Sequence, residues 1–234
     1  MFDPLDSRAL RRTDCYAQRF MKAGTYPYNV LPAFGDCIQR DRPFAIKVTE
    51  TKGKKAMTQH NVTVHFQKGR FTPDRAETTI ETGDLVLWNC PDTGATPYCI
   101  VGEKEFFASN RMVNECGYSH AFGFAGEYQW RDANGSDVHG VVRVSDWKCE
   151  NHSEFAHWHE NTLKKGALVM IENGKAEPSL VEIVIGQTVF FAIVKAPGIS
   201  ITDERIFSKQ TGAEKPRELA RAITSRRQPP NVRA

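Results

Sequence analysis

Apolar and polar residues alternate with a period of two along most of this chain, in short runs that Gly, Pro and Asp separate. The alternation is clear in residues 62–66 and 126–130, and residues 85–88 form a strongly apolar run. Runs of this period and spacing predict an antiparallel β-sandwich or barrel. Helical composition is confined to residues 214–225, which predict a short C-terminal helix.

Two half-units are each repeated once along the chain. The first half-unit occurs at residues 64–88 and again at 169–191, and both copies share the pattern Gly-x-x-Val-x-aromatic. The second half-unit occurs at residues 20–48 and 122–144, and both copies share Phe-x-x-Ala-Gly-x-Tyr. An unpaired half-sandwich leaves open strand edges, so we expect each first half to pair with a second half.

The order of these half-units predicts two domains. Residues 56–148 contain a first half followed by a second half and are predicted to form a central, continuous domain. Residues 10–50 and 165–207 are predicted to close together into a second, discontinuous domain. Residues 149–164 would then be a linker and residues 208–234 a basic tail. Exchange of halves between two chains would satisfy the same pairing.

Several short motifs of the central segment occur in the order of one known family. They are Phe71-Thr72-Pro73, the Gly83–Trp88 turn and strand, Pro97-Tyr98-Cys99-Ile100-Val101, the Ser119–Tyr128 approach and Val138-x-Gly140-x-Val142-x-Val144. Together they resemble a cupredoxin, the plastocyanin-like blue-copper family. The resemblance implies an all-β chain of two cupredoxin-like Greek-key sandwiches, one of them discontinuous, with a short C-terminal helix or tail.

The positions where cupredoxins hold copper carry other residues here. Blue copper requires two His, one Cys and a weak axial Met. The corresponding positions are Tyr98, Asp132 and Val138, and the second His position falls at Asn134 or Gly135. The resemblance therefore implies domains that have lost their copper site and contain no cofactor.

One cluster of metal-ligating residue types lies in the predicted linker. It comprises Cys149, His152, His157 and His159. These ligand types suit zinc if their side chains converge. The alternative is an ordinary linker in which Phe155 and Trp158 pack onto a domain and the histidines face solvent.

Charge is nearly balanced over the chain but concentrated at its end. The 234 residues are 40% hydrophobic and 25% charged, with a net charge of +3. Residues 209–234 contain seven basic and two acidic side chains. This tail is predicted to contact an anionic protein or lipid surface, and its candidate contact residues are Arg217, Arg221, Arg226 and Arg227.

The sequence shows neither a leader nor a long apolar run. Residues 1–8 do not follow a signal-peptide pattern, and no run is long enough to span a bilayer. The protein is therefore expected in the cytoplasm, where it could lie peripherally on a membrane face. The six dispersed cysteines, which form no C-x-x-C pair, are expected to be reduced.

No nucleotide-binding or hydrolase motif is present, so an enzyme is not predicted. Phe106 and Phe107 are candidate contact residues, with burial in the core as the alternative. We expect a non-catalytic accessory subunit that binds and stabilises other protein subunits, and nucleic acid is not an expected partner. The resemblance implies a membrane-extrinsic subunit of a photosynthetic or respiratory assembly, such as a reaction-centre–antenna complex. The alternative is a metal-binding or electron-transfer protein that uses the Cys149–His159 cluster.

Overall fold

A computed structural model describes residues 4–34, 41–51, 53, 56–103, 107–147, 150–162 and 164–210. The regular structure of the described chain is mostly β-strand, as the alternating pattern predicted. Strands β1 to β8 are Asp14–Arg19, Gly24–Pro32, Phe44–Thr49, Gln59–Gln67, Arg70–Pro73, Glu77–Glu81, Leu85–Asn89 and Tyr98–Gly102. Strands β9 to β16 are Met112–Ala121, Gly126–Arg131, His139–Ser145, Ala167–Glu172, Lys175–Glu177, Leu180–Val184, Thr188–Ile199 and Thr202–Asp203.

Among the described residues, helical structure is short and lies outside the sheets. Helix α1 (His152–His157) leads directly into a π-helical turn at Trp158–Thr162, and helix α2 (Glu204–Gln210) follows the last strand. A short C-terminal helix is therefore present, whereas the predicted helical stretch at residues 214–225 lies outside the described residues. Neither described helix has the length and apolar character needed to cross a bilayer.

The strands form one large sheet and two small ones. The large sheet has eight strands in the order β13-β12-β15-β9-β1-β7-β4-β5. The N-terminal small sheet has the order β6-β3-β2-β8, and the C-terminal small sheet has the order β14-β11-β10-β16. Each small sheet packs against the large sheet through core aromatic residues. The ring centroids of Tyr28 in β2 and Trp88 in β7 lie 5.6 Å apart, and those of Trp130 in β10 and Phe191 in β15 lie 5.2 Å apart.

Strands β9 to β16 repeat the arrangement of β1 to β8 in the same order. Parallel pairs β3·β6 and β4·β7 have direct counterparts in β11·β14 and β12·β15. The tight turns also correspond, because Lys68-Gly69 has φ angles of 51° and 76° and Asn173-Gly174 has 51° and 77°. Two successive residues with positive φ match the right-handed twist of hairpin strands. The described chain is thus a tandem duplication of one eight-stranded unit.

This duplication groups the half-units differently from the prediction. The halves themselves are present, but each second half pairs with the first half that follows it in the chain. Ile46 pairs with Thr78 in the N-terminal repeat, and Val142 pairs with Val181 in the C-terminal repeat. The strand pairing therefore defines units at residues 14–102 and 112–203, in place of 56–148 and the discontinuous pair 10–50 with 165–207.

The two repeats meet along the antiparallel pair β1·β9, which makes the large sheet continuous. Tyr16 lies opposite Tyr118 in this pair, and each lies four residues before a matching phenylalanine, Phe20 or Phe122. Each tyrosine is therefore the repeat counterpart of the other. A local two-fold axis passes through this pair, as in a symmetric dimer whose two subunits have been joined in one chain.

The segments that precede each repeat extend the small sheets. Ser109 N donates to Ile100 O at 3.0 Å, which places residues 107–109 beside β8. Ser7 N donates to Ile201 O at 2.9 Å, which places residues 5–7 beside the end of the C-terminal repeat. The N-terminal segment thus closes the sheet of the repeat farthest from it in sequence.

Candidate interaction surface and buried polar centre

The outer face of the large sheet carries a band of uncharged side chains. Because residues paired across strands share a face, the registers place two rows on this side, Leu168–Phe190–Ser119–Cys15 and Met170–Ala192–Gly117–Ala17–Leu87. We call these nine positions the apolar band. Leu168 and Met170 are 52% and 46% exposed, and Phe190, Ala192 and Leu87 are partly exposed.

A glycine gives the band its shape. The Phe190 ring lies across Gly117 of the neighbouring strand, where a Cβ atom would come within 2.4 Å of the ring carbon Cζ. Any larger residue at Gly117 would therefore displace the ring. Beyond this row, Arg19 and Glu115 form an ion pair at 3.4 Å that borders the uncharged area.

The composition of the band suits contact with another protein rather than chemistry on a small molecule. Exposed apolar area on a sheet face is stabilised when a second apolar surface covers it. The band includes the hydroxyl of Ser119 and the thiol of Cys15, and burial raises the pKa of that thiol. A thiol with a raised pKa remains protonated at neutral pH and is a weak nucleophile.

A buried polar centre lies on the opposite side of the same two strands. Because Asp14 pairs with His120 across β1·β9, their side chains meet, with His120 Nδ1 at 2.6 Å from Asp14 Oδ1. The Tyr118 hydroxyl donates to the same carboxylate oxygen at 2.8 Å. All three side chains are at most 1% exposed.

Two backbone N–H groups also donate hydrogen bonds to this centre. Arg11 N donates to Asp14 Oδ2 at 2.7 Å, and Asp6 N donates to the Tyr118 hydroxyl at 3.2 Å. Burial raises the pKa of Asp14, while the hydrogen bonds from His120, Tyr118 and Arg11 act in the opposite direction. Burial also raises the pKa of Tyr118 well above its usual value.

An Asp–His pair can serve as a base in catalysis, but only where a substrate can reach it. No substrate reaches these side chains as they are placed, since they are enclosed where the two repeats and the N-terminal segment meet. The arrangement therefore favours a structural role. On the other side of the two-fold axis the counterpart pair is uncharged, with Gln18 opposite Cys116.

The cupredoxin ligand positions do not form one site. Tyr98 lies in β8 of the N-terminal small sheet, whereas Asp132 and Val138 flank the β10–β11 loop of the C-terminal repeat. Asp132 stabilises that loop by accepting backbone N–H bonds from Asn134, Ser136 and Ser200 at 2.8–3.0 Å. Burial opposes ionisation of Asp132, but these hydrogen bonds outweigh it and lower its pKa.

The linker histidines lie on exposed helical structure. Helix α1 has no buried residue, and its Asn151 cap accepts a hydrogen bond from Glu154 N. Phe155 is 47% exposed and packs against Trp158, with 5.6 Å between ring centroids. No group of three metal-ligating side chains, including His152, His157 and His159, comes together among the described residues. Cys149 lies outside them.

The predicted contact residues have mixed outcomes. Phe107 is 2% exposed and packs against Phe20, Tyr28 and Trp88, so it is a core residue and not a surface contact. Its position follows from the hydrogen bonds that place residues 107–109 beside β8. Phe106 lies outside the described residues, as do Arg217, Arg221, Arg226 and Arg227.

The apolar band was not found by the sequence analysis. The segment Leu168-Val169-Met170-Ile171 is apolar at four successive positions, which in a sheet places apolar side chains on both faces. This apolar run could therefore have indicated an exposed apolar face from the sequence alone.

The described fold defines an all-β, sandwich-like protein of two repeats. No family model, curated protein or solved structure matches the chain.

Proposed function

We propose that this protein is a non-catalytic binding subunit that docks onto another protein through the apolar band of the large sheet. The observation that supports this most directly is the pair Leu168 and Met170, which remain about half exposed beside Phe190. Full burial of such a side chain contributes about 1.5–3 kcal/mol. An exposed apolar sheet face is best covered by a sheet or helix of a partner.

A finer proposal concerns the kind of partner. The cupredoxin-like motifs favour, by analogy, an accessory subunit of a photosynthetic or respiratory assembly that lies peripherally on a membrane. The seven basic residues among positions 209–234 add an attraction to anionic protein or lipid surfaces. The apolar band would supply the specific contact, and the basic segment would strengthen association at the membrane face.

The test is affinity capture of the tagged full-length chain from native membranes and from the soluble extract, with metal content measured on the same eluate. The informative variant is Leu168→Asp/Met170→Asp, which places two charges in the band. Its matched control is Leu180→Asp, because Leu180 is 42% exposed but lies in β14 of a small sheet.

We expect the wild type to capture a partner protein in stoichiometric amount. The Leu180→Asp control should still capture this partner, whereas the band variant should not. Retention of the same partner by the band variant, with both variants folded, overturns the docking site. Sedimentation of the purified wild type tests a second occupant. Self-association that the band variant abolishes would assign the band to a homodimer and overturn the proposed partner. Stoichiometric metal without a protein partner would favour the metal-binding alternative.

A further inference from the structure

A cluster of arginines and aromatic rings lies on the C-terminal repeat, away from the apolar band. Arg131, in β10, lies over the Phe207 ring of α2, with 4.2 Å from its guanidinium carbon to the ring centroid. Arg8 lies over the same ring at 5.9 Å and over the Phe34 ring at 5.5 Å. Arg205 lies over Tyr128 at 4.6 Å. Four separate parts of the chain, around residues 8, 34, 128–131 and 205–207, thus converge here.

Two of these arginines are held by the same local structure. Arg8 N and Nε both donate to Asp6 Oδ1, at 3.1 and 2.9 Å, and Nη2 donates to Oδ2. Arg205 makes the same three bonds to Asp203. The two Asp-x-Arg segments are neighbours, since Asp203 N donates to Leu5 O at 2.8 Å. Both carboxylates are buried, so both guanidinium groups are fixed in place.

The third arginine differs from these two. Arg131 is exposed, and among the residues that the structure describes no carboxylate lies within ion-pair distance of it. Its stacking on Phe207 orients a planar group whose five N–H donors can bind a carboxylate with two parallel bonds. Phe34, which is 72% exposed, offers an apolar contact at the other side of Arg8.

We propose that Arg131, supported by Phe207 and flanked by Arg8 and Phe34, binds an acidic side chain of a partner protein that has an apolar residue nearby. Asp6 and Asp203 neutralise Arg8 and Arg205, so Arg131 is the arginine of the cluster that has no carboxylate partner among the described residues. Attraction to anionic lipid grows with the number of basic residues, and a single charge contributes little. One oriented guanidinium beside an exposed ring instead matches one carboxylate beside an apolar side chain.

The inference about this site depends on the proposed function in one respect, which is that the ligand is a segment of a protein.

The site is tested by binding of the purified full-length chain to an array of synthetic peptides. The peptides carry a single Glu or Gln, with Leu or Ser nearby, and the Kd of the best Glu–Leu peptide is then measured in solution. This assay needs no natural partner, so failure of the capture experiment and failure of this site are separate results.

The informative variants are Arg131→Gln, which removes the charge, and Arg131→Lys, which keeps it without the planar group. Arg143→Gln is the matched control, because Arg143 is an exposed arginine on β11 of the same sheet but is paired with Glu127 at 3.1 Å. We expect Arg131→Gln to weaken binding about tenfold or more, Arg131→Lys to weaken it by less, and Arg143→Gln to change it less than about twofold.

Circular dichroism and melting confirm that each variant is folded. Absence of peptide binding by the wild type overturns the site, as does binding by Arg131→Gln at wild-type strength. Equal losses in Arg131→Gln and Arg143→Gln would show general attraction to charge and overturn it as well. Vesicles of phosphatidylserine and phosphatidylcholine are the final arm. Arg131-dependent binding to them in preference to the peptides would assign the cluster to lipid.

Discussion

Tyr16 and Tyr118 face each other across strands β1 and β9, and each occupies the position of the other in its own repeat. The junction between the two repeats is therefore pseudo-symmetric in backbone but not in side chains. The Tyr118 hydroxyl joins the ionisable Asp14–His120 pair, whereas the Tyr16 hydroxyl donates to the amide oxygen of Gln18 at 3.0 Å. Duplication has allowed one side of the junction to acquire a buried ionisable pair that a symmetric dimer would carry twice.

Removing the Tyr118 hydroxyl should destabilise this junction. Tyr118→Phe leaves Asp6 N–H without its partner in the core and removes one of the two hydrogen bonds to Asp14 Oδ1. A buried group that loses its hydrogen bond costs about 1–3 kcal/mol, so we expect a loss of this size in the free energy of unfolding, measured by urea denaturation. Tyr26→Phe is the control, since its hydroxyl bonds Lys22 O at the surface. Equal effects of the two changes would contradict a special role for the junction.

The half-units could be read from the sequence, but their grouping could not. The four half-units follow one another as second, first, second, first, and this periodic order can be divided at two different phases. The pairing of Ile46 with Thr78 decides between them. This pairing of β3 with β6 is a parallel crossover between strands about thirty residues apart in the chain. The alternation of apolar and polar residues within one strand does not show which other strand it pairs with.

Some parts of the candidate sites were equally inaccessible to sequence reasoning. The Arg131–Phe207 contact joins β10 to a helix more than seventy residues later in the chain, and no local pattern marks it. Phe107 was ambiguous because apolar residues between strands can be core or contact residues, and the pairing of residues 107–109 with β8 resolved this. The apolar band was accessible in part, since β12 is apolar on both faces.

Filling the space above Gly117 should disturb the apolar band. Gly117→Ala places a Cβ 2.4 Å from the Phe190 ring, so the ring must move. Because Phe190 is partly exposed and the clash falls on the tip of its ring, we expect Gly117→Ala to lower the free energy of unfolding by about 1 kcal/mol, the lower end of the cost of core overpacking, in thermal or urea unfolding. Gly123→Ala is the matched control, because a Cβ at that position would have no atom of the described residues within 4 Å. Addition of Phe190→Leu to Gly117→Ala should recover part of the loss, and absence of any recovery would contradict the steric explanation.

The Asp132 loop should show a defined pH dependence. Its hydrogen bonds lower the pKa of Asp132 below the usual 3.8, so the ionised form stabilises the folded state. This contribution is fully present above the unfolded pKa and is lost as the pH falls through the lower folded pKa. Asp132→Asn places a side-chain amide N–H against a backbone N–H donor. We expect this substitution to lower the free energy of unfolding by about 1–3 kcal/mol at neutral pH.

The difference between wild type and Asp132→Asn should therefore shrink in urea unfolding below about pH 4, where the wild-type carboxylate begins to lose its ionised advantage. Asp137→Asn provides the control, since Asp137 is an exposed residue of the same loop. A difference that is constant from neutral to acidic pH would show that ionisation of Asp132 does not contribute to stability.

The basic residues at the end of the chain should act through long-range charge. Residues 211–234 contain six basic and two acidic side chains, and a truncation after Gln210 leaves α2 whole. If this segment attracts an anionic partner or membrane surface, truncation should weaken capture of the partner about tenfold at low ionic strength. Exposed charges are screened by salt, so the truncated chain should also show a flatter dependence of its Kd on salt.

A second variant, in which the six basic residues are replaced by Gln, separates the effect of charge from the effect of length. It keeps the segment but should behave as the truncation does. A salt dependence equal to that of the wild type in both variants would leave the apolar band and the Arg131 cluster as the remaining candidate contacts.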